Sequence, residues 1–287
     1  MPSTLASLAP WRDRNGRLSL LRVATLVVLV APLLWLAWRT ATGDLGPRPL
    51  TESLRFCGAR AIETLIASIA VTPLRRLSGW SKLVGLRRMI GVASFLWTAL
   101  HLVLYAADQA FDMGKVAMEI AVRPYLTMGF VAFVGLLALT ITSTDGSIRR
   151  LGGARWGRIH GLVHPIAILG LAHYFLQIRL DPAPAAMIAG LAIGGLAVRV
   201  AADRGEPAFG AVAAAVVFAA LGAAGVELLW FAVKTTRPLA FIAAGNLDWS
   251  DRLPASATAG LIALALGLTS VGKRRWEIRS RSRDRGS

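Results

Sequence analysis

Eight apolar stretches, each close to the length of a membrane-spanning helix, run through the 287-residue chain and set the terms for any fold it adopts. Crossing the hydrocarbon core takes about 20 mostly apolar residues in a helix. The candidates are residues 20–38, 56–74, 89–107, 126–141, 159–178, 183–200, 208–233 and 255–271. The sixth and eighth are rich in Ala and Gly, small residues that let helices approach closely in lipid. The bilayer core holds no water, so each span must satisfy its own backbone. Composition agrees: 55% of residues are hydrophobic and only 17% charged, against roughly 25% charged in ordinary soluble domains. A soluble domain of this length cannot hide so much apolar surface. The expectation is an all-α, multi-pass integral membrane protein. The first stretch exceeds the apolar core of a signal peptide, about 7–15 residues. No small-residue cleavage site follows Trp38, so a retained helix is expected.

The chain carries 32 Lys plus Arg against 16 Asp plus Glu, a formal charge of +16. In a soluble protein this excess would point to nucleic acid. In a membrane protein it reports orientation, because basic residues concentrate on the cytoplasmic side. With the N-terminus inside and eight spans, 22 of the 32 basic residues fall on the inner side. They occupy the N-terminal segment, the connections 75–88, 149–158 and 199–204, and the tail from residue 273. Six of the 16 acidic residues share that side, so the whole excess of +16 lies there. Both termini are therefore expected in the cytoplasm, and no nucleic-acid partner is expected. The single cysteine, Cys57, excludes a disulfide framework and a cysteine-only metal site. The chain contains no GxGxxG fingerprint and no Walker A motif, so no dinucleotide-binding domain is expected within it.

All four histidines fall in two of the spans: His101 in the third, and His160, His164 and His173 in the fifth. Ionisable groups inside a bilayer are costly and are functional candidates by default. His101 follows Arg88 by 13 residues and His173 follows Arg158 by 15. At about 1.5 Å per residue these are depths of ~20 and ~22 Å. Both helices run from inside to outside, so the two imidazoles reach nearly one level in the outer half of the membrane. Two facing imidazoles suit the two axial positions of a haem, which closes the iron to oxygen and favours electron transfer. His160 precedes His173 by 13 residues, a separation of ~20 Å that suits a second haem below the first. On an ideal helix, however, that spacing leaves the two rings about 140° apart. Pro165 lies between them as a source of kinking or rewinding. No histidine on the third span opposes His160. His164, one turn from His160, is read as a packing or supporting residue, with substitute ligand as its alternative. The competing reading of all four is hydrogen bonding between helices.

The ordered stretches VTPLRRL (71–77), GLRRMIGVASFLWTALHLVLY (85–105), RPYLTMGF (123–130), LTITSTD (139–145) and RLGGARWGRIHGLVHPIAILGLAHY (150–174) resemble the MsrQ (YedZ) family. Those proteins are haem-binding membrane subunits within the ferric-reductase-like transmembrane superfamily. The resemblance covers about residues 20–200. It implies a six-helix haem b bundle in the bacterial inner membrane, here extended by about two C-terminal transmembrane helices. The segments are then 1–19 (cytoplasmic), 20–200 (ferric-reductase-like haem domain), 201–272 (extension) and 273–287 (basic cytoplasmic tail). The family's ligand histidines match His101, His160 and His173, for one or two haems b, and FMN is an implied cofactor. Electrons are implied to come from a cytoplasmic flavin reductase or the quinone pool. They are implied to leave to a periplasmic molybdopterin methionine sulfoxide reductase subunit, MsrP-like, that repairs oxidised proteins. On this reading the chain is the electron-transfer subunit and not the catalytic one. The resemblance gives no role to His164 or to residues 201–287.

Arg87, Arg88 and Arg158 border the inner haem position, where a guanidinium pairs well with propionate carboxylates. Their competing role is to signal topology. Arg60 and Glu63, three apart in the second span, are expected to neutralise each other. Glu227 is expected to be solvated near the outer interface. Arg123 is read as a partner contact or a loop cap, and Cys57 as packing. Two other functions fit parts of the pattern: a haem b ferric or quinone reductase with another acceptor, and a non-haem transporter or scaffold whose histidines carry protons or pack helices.

Overall fold

The computed structural model describes residues 11–12, 16–248, 250 and 252–283, with side chains described up to Arg274. Asp13, Arg14, Asp284 and Arg285, which enter the charge balance, lie outside the described residues. The described residues contain no strand and form twelve α-helices. These are α1 (Leu20–Ala41), α2 (Pro49–Ser78), α3 (Val84–Asp108), α4 (Met113–Val122), α5 (Pro124–Ile141) and α6 (Asp145–Leu151). They continue as α7 (Gly153–Gly161), α8 (Val163–Gln177), α9 (Ala183–Asp203), α10 (Ala208–Lys234), α11 (Leu239–Gly245) and α12 (Ala255–Arg283).

Seven helical segments are long and apolar enough to cross a membrane: α1, α3 with the 3-10 turn before it, α5, α7 with α8, α9, α10 and α12 to Arg274. The chain is a multi-pass membrane protein. The second expected span, α2, is helical throughout its 30 residues but is not among the seven, because it carries Glu52, Arg55, Arg60 and Glu63 in its first half. Arg60 and Glu63 form the expected ion pair, and the Arg60 guanidinium also lies 5.1 Å over the Phe56 ring. The apolar residues exposed on the spans, Val28 and Leu34 of α1 among them, are the surface such a protein offers to lipid.

Two compact units divide the chain, Met1–Ser68 with Gly85–Ile166 and Ile69–Val84 with Ala167–Ser287. In the first, α2 and α3 are joined by three polar rungs. His101 Nδ1 lies 2.9 Å from Leu54 O, Ser94 Oγ donates to Ala61 O at 3.0 Å, and Ser68 Oγ donates to Arg87 O at 3.4 Å. Successive rungs are seven residues apart on both helices, and the numbers run in opposite directions. The helices are therefore antiparallel in a heptad register, in which every seventh side chain returns to the same seam. Apolar packing fills the spaces: Leu36 of α1, Cys57 and Ala61 of α2 and Trp97 of α3 form one buried cluster. Cys57 is fully buried there, as a packing residue should be.

Short helices that the apolar runs do not announce connect the spans. Asp112 caps α4 by accepting from the Lys115 N–H at 2.9 Å. Thr144 caps α6 by accepting from the Ser147 N–H at 3.1 Å. Both are side-chain oxygens satisfying helix-start donors. Arg123 lies between α4 and α5, where it pairs with Glu119 at 3.1 Å and reaches the Tyr125 hydroxyl at 3.2 Å.

In the second unit α9, α10 and α12 pack through small residues. A Cβ at Gly194 would fall 2.8 Å from Ala215 O, and one at Gly190 would fall 2.8 Å from Ala223 Cβ. A Cβ at Gly267 would meet Val212 Cγ1 at 2.6 Å. As numbers rise on α9 or α12 they fall on α10, so α10 is antiparallel to both. The end of α9 meets the end of α2, where Arg76 pairs with Asp203 at 2.6 Å, and Lys273 of α12 sits 3.2 Å over the ring of Trp80, just after α2. Glu227 of α10 departs from the expectation of a solvated carboxylate. It accepts from Asn246 Nδ2 at 3.0 Å, because α11 folds back onto the end of α10. Gly194→Val should lower stability by about 1–3 kcal/mol through overpacking, read as a fall in the unfolding midpoint of the purified protein in detergent.

Candidate functional site

His101 lies on α3 with its ring against the backbone of α2. It stands on the α3 face that carries Ser94 and Trp97, against α2. A backbone carbonyl only accepts, so the 2.9 Å contact with Leu54 O places the ring proton on Nδ1. Nε2 then carries the lone pair, the tautomer and orientation that a carbonyl partner gives to metal-binding imidazoles. Gly58 makes this approach possible. A Cβ there would come within 3.0 Å of both Cε1 and Nδ1 of the ring. Gly58 is also four residues after Leu54, so the bare turn of α2 lies directly beside the carbonyl that His101 uses. Sequence reading found His101 by its depth. It missed Leu54 and Gly58, whose contribution is a backbone oxygen and an absent side chain.

His160 lies on α7 in the first unit. Its ring stacks on Trp156, with centroids 4.0 Å apart and planes at 24°. The Trp156 Nε1–H donates to Thr142 O at 2.9 Å. Thr142 Oγ1 lies 2.8 Å from Ala138 O, where it donates, and 3.2 Å from His160 Nε2, from which it accepts. This arrangement puts the His160 proton on Nε2. Arg87 and Arg88 are within electrostatic reach of the ring. Arg88 is engaged with Asp145 at 2.5 Å on an exposed surface, a pairing that sequence spacing did not suggest. Arg158 is exposed on α7.

Between His160 and His173 the chain is not one uninterrupted helix. α7 ends at Gly161, the Leu162 N–H turns back to Ile159 O at 3.0 Å, and α8 begins at Val163. The cause is Pro165, which has no N–H and whose ring clashes with the carbonyl four residues earlier, that of Gly161. His164 Nδ1 lies 3.1 Å from Gly161 O and donates to it in place of the missing N–H. His164 thus serves the backbone at the break before Pro165. His173 lies on α8 in the second unit, half-buried. Among the described residues no three His, Cys, Asp or Glu side chains converge into a metal site.

The described residues form an all-helical membrane bundle that carries His101 on α3, His160 on α7, and His164 and His173 on α8. Residues 57–171 match the family model described as ferric reductase like transmembrane component. The chain is 41% identical over 190 residues, 66% of its own length and 89% of the relative's, to the protein-methionine-sulfoxide reductase heme-binding subunit MsrQ of Rhodospirillum rubrum. The proteins of the same name from Caulobacter vibrioides and Salmonella arizonae are 40% identical over 155 residues and 37% over 182. Those matches cover 54% and 62% of this chain and 74% and 90% of the relatives. The chain belongs to the MsrQ family. No solved structure matches it.

His164→Ala should cost about 0.5–1.5 kcal/mol, the usual net value of a hydrogen bond. The cost should shrink in a Pro165→Ala background, where a restored N–H serves Gly161 O. A double-mutant cycle on unfolding in mixed micelles reads the difference.

Proposed function

We propose that this chain is the haem b-binding membrane subunit of a protein-methionine-sulfoxide reductase. It takes electrons from a flavin or quinol donor on the cytoplasmic side and delivers them to an MsrP-like catalytic subunit on the other face of the bacterial inner membrane. Bound haem supplies an iron that gains and releases one electron at a time. The observation that carries the reading is the His101 ring, held by Leu54 O with Nε2 as the basic nitrogen. The relatives named as heme-binding subunits support it.

His173 would hold the haem together with His101, a pairing supported by the depth the two share in the sequence. His160 is proposed for a further haem. It would bind through Nδ1, or through Nε2 after giving up Thr142. Arg87, Arg88 and Arg158 are proposed to pair with propionates. Arg88 would exchange Asp145 for that partner, and exposed ion pairs contribute only about 0–1 kcal/mol. FMN and the identities of donor and acceptor rest on family resemblance. The inner-side excess of basic residues supports an orientation with both termini cytoplasmic. That orientation requires α2 to cross.

Dithionite reduction of the purified protein should give the α band of low-spin haem b. His101→Ala and His173→Ala should each abolish the outer haem, His164→Ala should retain most of it, and Gly58→Val should lose haem by displacing the His101 ring. Purification without haem from haem-replete cells, or unchanged spectra in the His101 and His173 variants, would refute the assignment. Alkaline phosphatase fusions should be active after Gly46 and after Gln109 and inactive after Arg274. Activity at the last position would show that α2 does not cross.

A further inference from the structure

α4 is attached to the first unit by one stripe and turns the rest of its surface outward. Val116 is buried, and Glu119 and Ile120, three and four residues on, are half-buried. The Tyr105 hydroxyl donates to Glu119, and Arg123 pairs with the same carboxylate at 3.1 Å. With Asp112 capping its start, the helix is held at both ends. The outward surface presents two thioethers, Met113 at 57% exposure and Met118 at 69%. The other described methionines, Met89, Met128 and Met187, lie within α3, α5 and α9 and are half-buried. Thioether oxidation follows accessibility, and among the described residues the exposed methionine sulfurs are gathered on one connection. That connection joins the end of α3 remote from Arg87 and Arg88 to α5.

We propose that Met113 and Met118 are oxidation sites, and that their sulfoxides are substrates of the reductase this chain serves. The proposal rests on the electron route above. Hydrogen peroxide transfers one oxygen to the sulfur, forming the S=O bond and releasing water. Two electrons and two protons then break that bond, restore the thioether and release a second water. The electrons are those delivered by the subunit, and the protons come from solvent. Sulfoxide formation makes the side chain polar and chiral. Met118 faces away from the Val116–Glu119–Ile120 stripe, and Met113, in the first turn on the side of Ile120, remains 57% exposed, so the contacts of Val116, Glu119 and Ile120 do not require either thioether. The damage therefore stays where a catalytic partner working on that face reaches it.

The test uses the full chain in nanodiscs, treated with hydrogen peroxide and followed by peptide mass spectrometry. Met113 and Met118 should gain one oxygen ahead of Met89, Met128 and Met187. Adding the methionine-sulfoxide reductase catalytic subunit with reduced benzyl viologen should remove that oxygen from both peptides. An oxidised soluble protein in the same mixture reports that the reductase is active. Equal oxidation of Met113, Met118, Met89, Met128 and Met187 overturns the proposal. So do sulfoxides at 113 and 118 that persist while the soluble protein is repaired. Repeating the repair with electrons supplied only through the membrane subunit separates the two claims. Repair with the dye but not through the subunit counts against the electron route and leaves the two methionines as substrates.

Discussion

The polar seam between α2 and α3 is the interaction on which the arrangement around His101 depends. His101, Ser94 and Ser68 each give a proton to a carbonyl of the opposing helix. In hydrocarbon a side-chain donor has no water to turn to, so each rung is held against the cost of leaving that donor unsatisfied. The seven-residue spacing makes the rungs interdependent, because a slip of one residue misaligns all three. Gly58 is what admits the largest of the three donors. The position and tautomer of the imidazole therefore follow from helix packing, before any cofactor contributes.

The same scarcity of partners explains the other polar features inside the first unit. Pro165 strips the Gly161 carbonyl of its donor, and the adjacent residue, His164, supplies a replacement. Thr142 serves as a small hub, accepting from Trp156 at its carbonyl and from His160 at its hydroxyl. Arg60 and Glu63 neutralise each other on α2. In each case a group that would be solvated in a soluble protein is answered by a residue one or two helical turns away, or by the neighbouring helix.

Hydrophobic length made most of the fold legible. The apolar runs locate α1, α3, α5, α9 and α10 to within a few residues, since a bilayer permits little else. The helical connections α4, α6 and α11 stayed hidden because they are too short to register as periodic apolar segments. The break at Leu162 was anticipated only as a kink at Pro165. It falls three residues earlier because the ring of a proline disturbs the turn before it. At the candidate site, depth counted from Arg88 singled out His101. Its partner Leu54 carries no signal, because every residue has a carbonyl. The Arg88–Asp145 pair, 57 residues apart, depends on a chain reversal that spacing alone does not reveal.

The small-residue contacts of α9, α10 and α12 have a thermodynamic consequence. Ala186, Ala219, Ala223 and Ala259 are fully buried where these helices meet, and Gly190 faces Gly222 across the same gap. Ala and Gly have no rotamers to freeze, so bringing the helices together forfeits almost no side-chain entropy. The backbones come close enough for Cα–H groups to contact carbonyl oxygens, a weak attraction repeated along the interface. Such a unit has few internal degrees of freedom with which to absorb deformation. Its stiffness comes from what the side chains lack, and under thermal load it should respond as a single rigid stave.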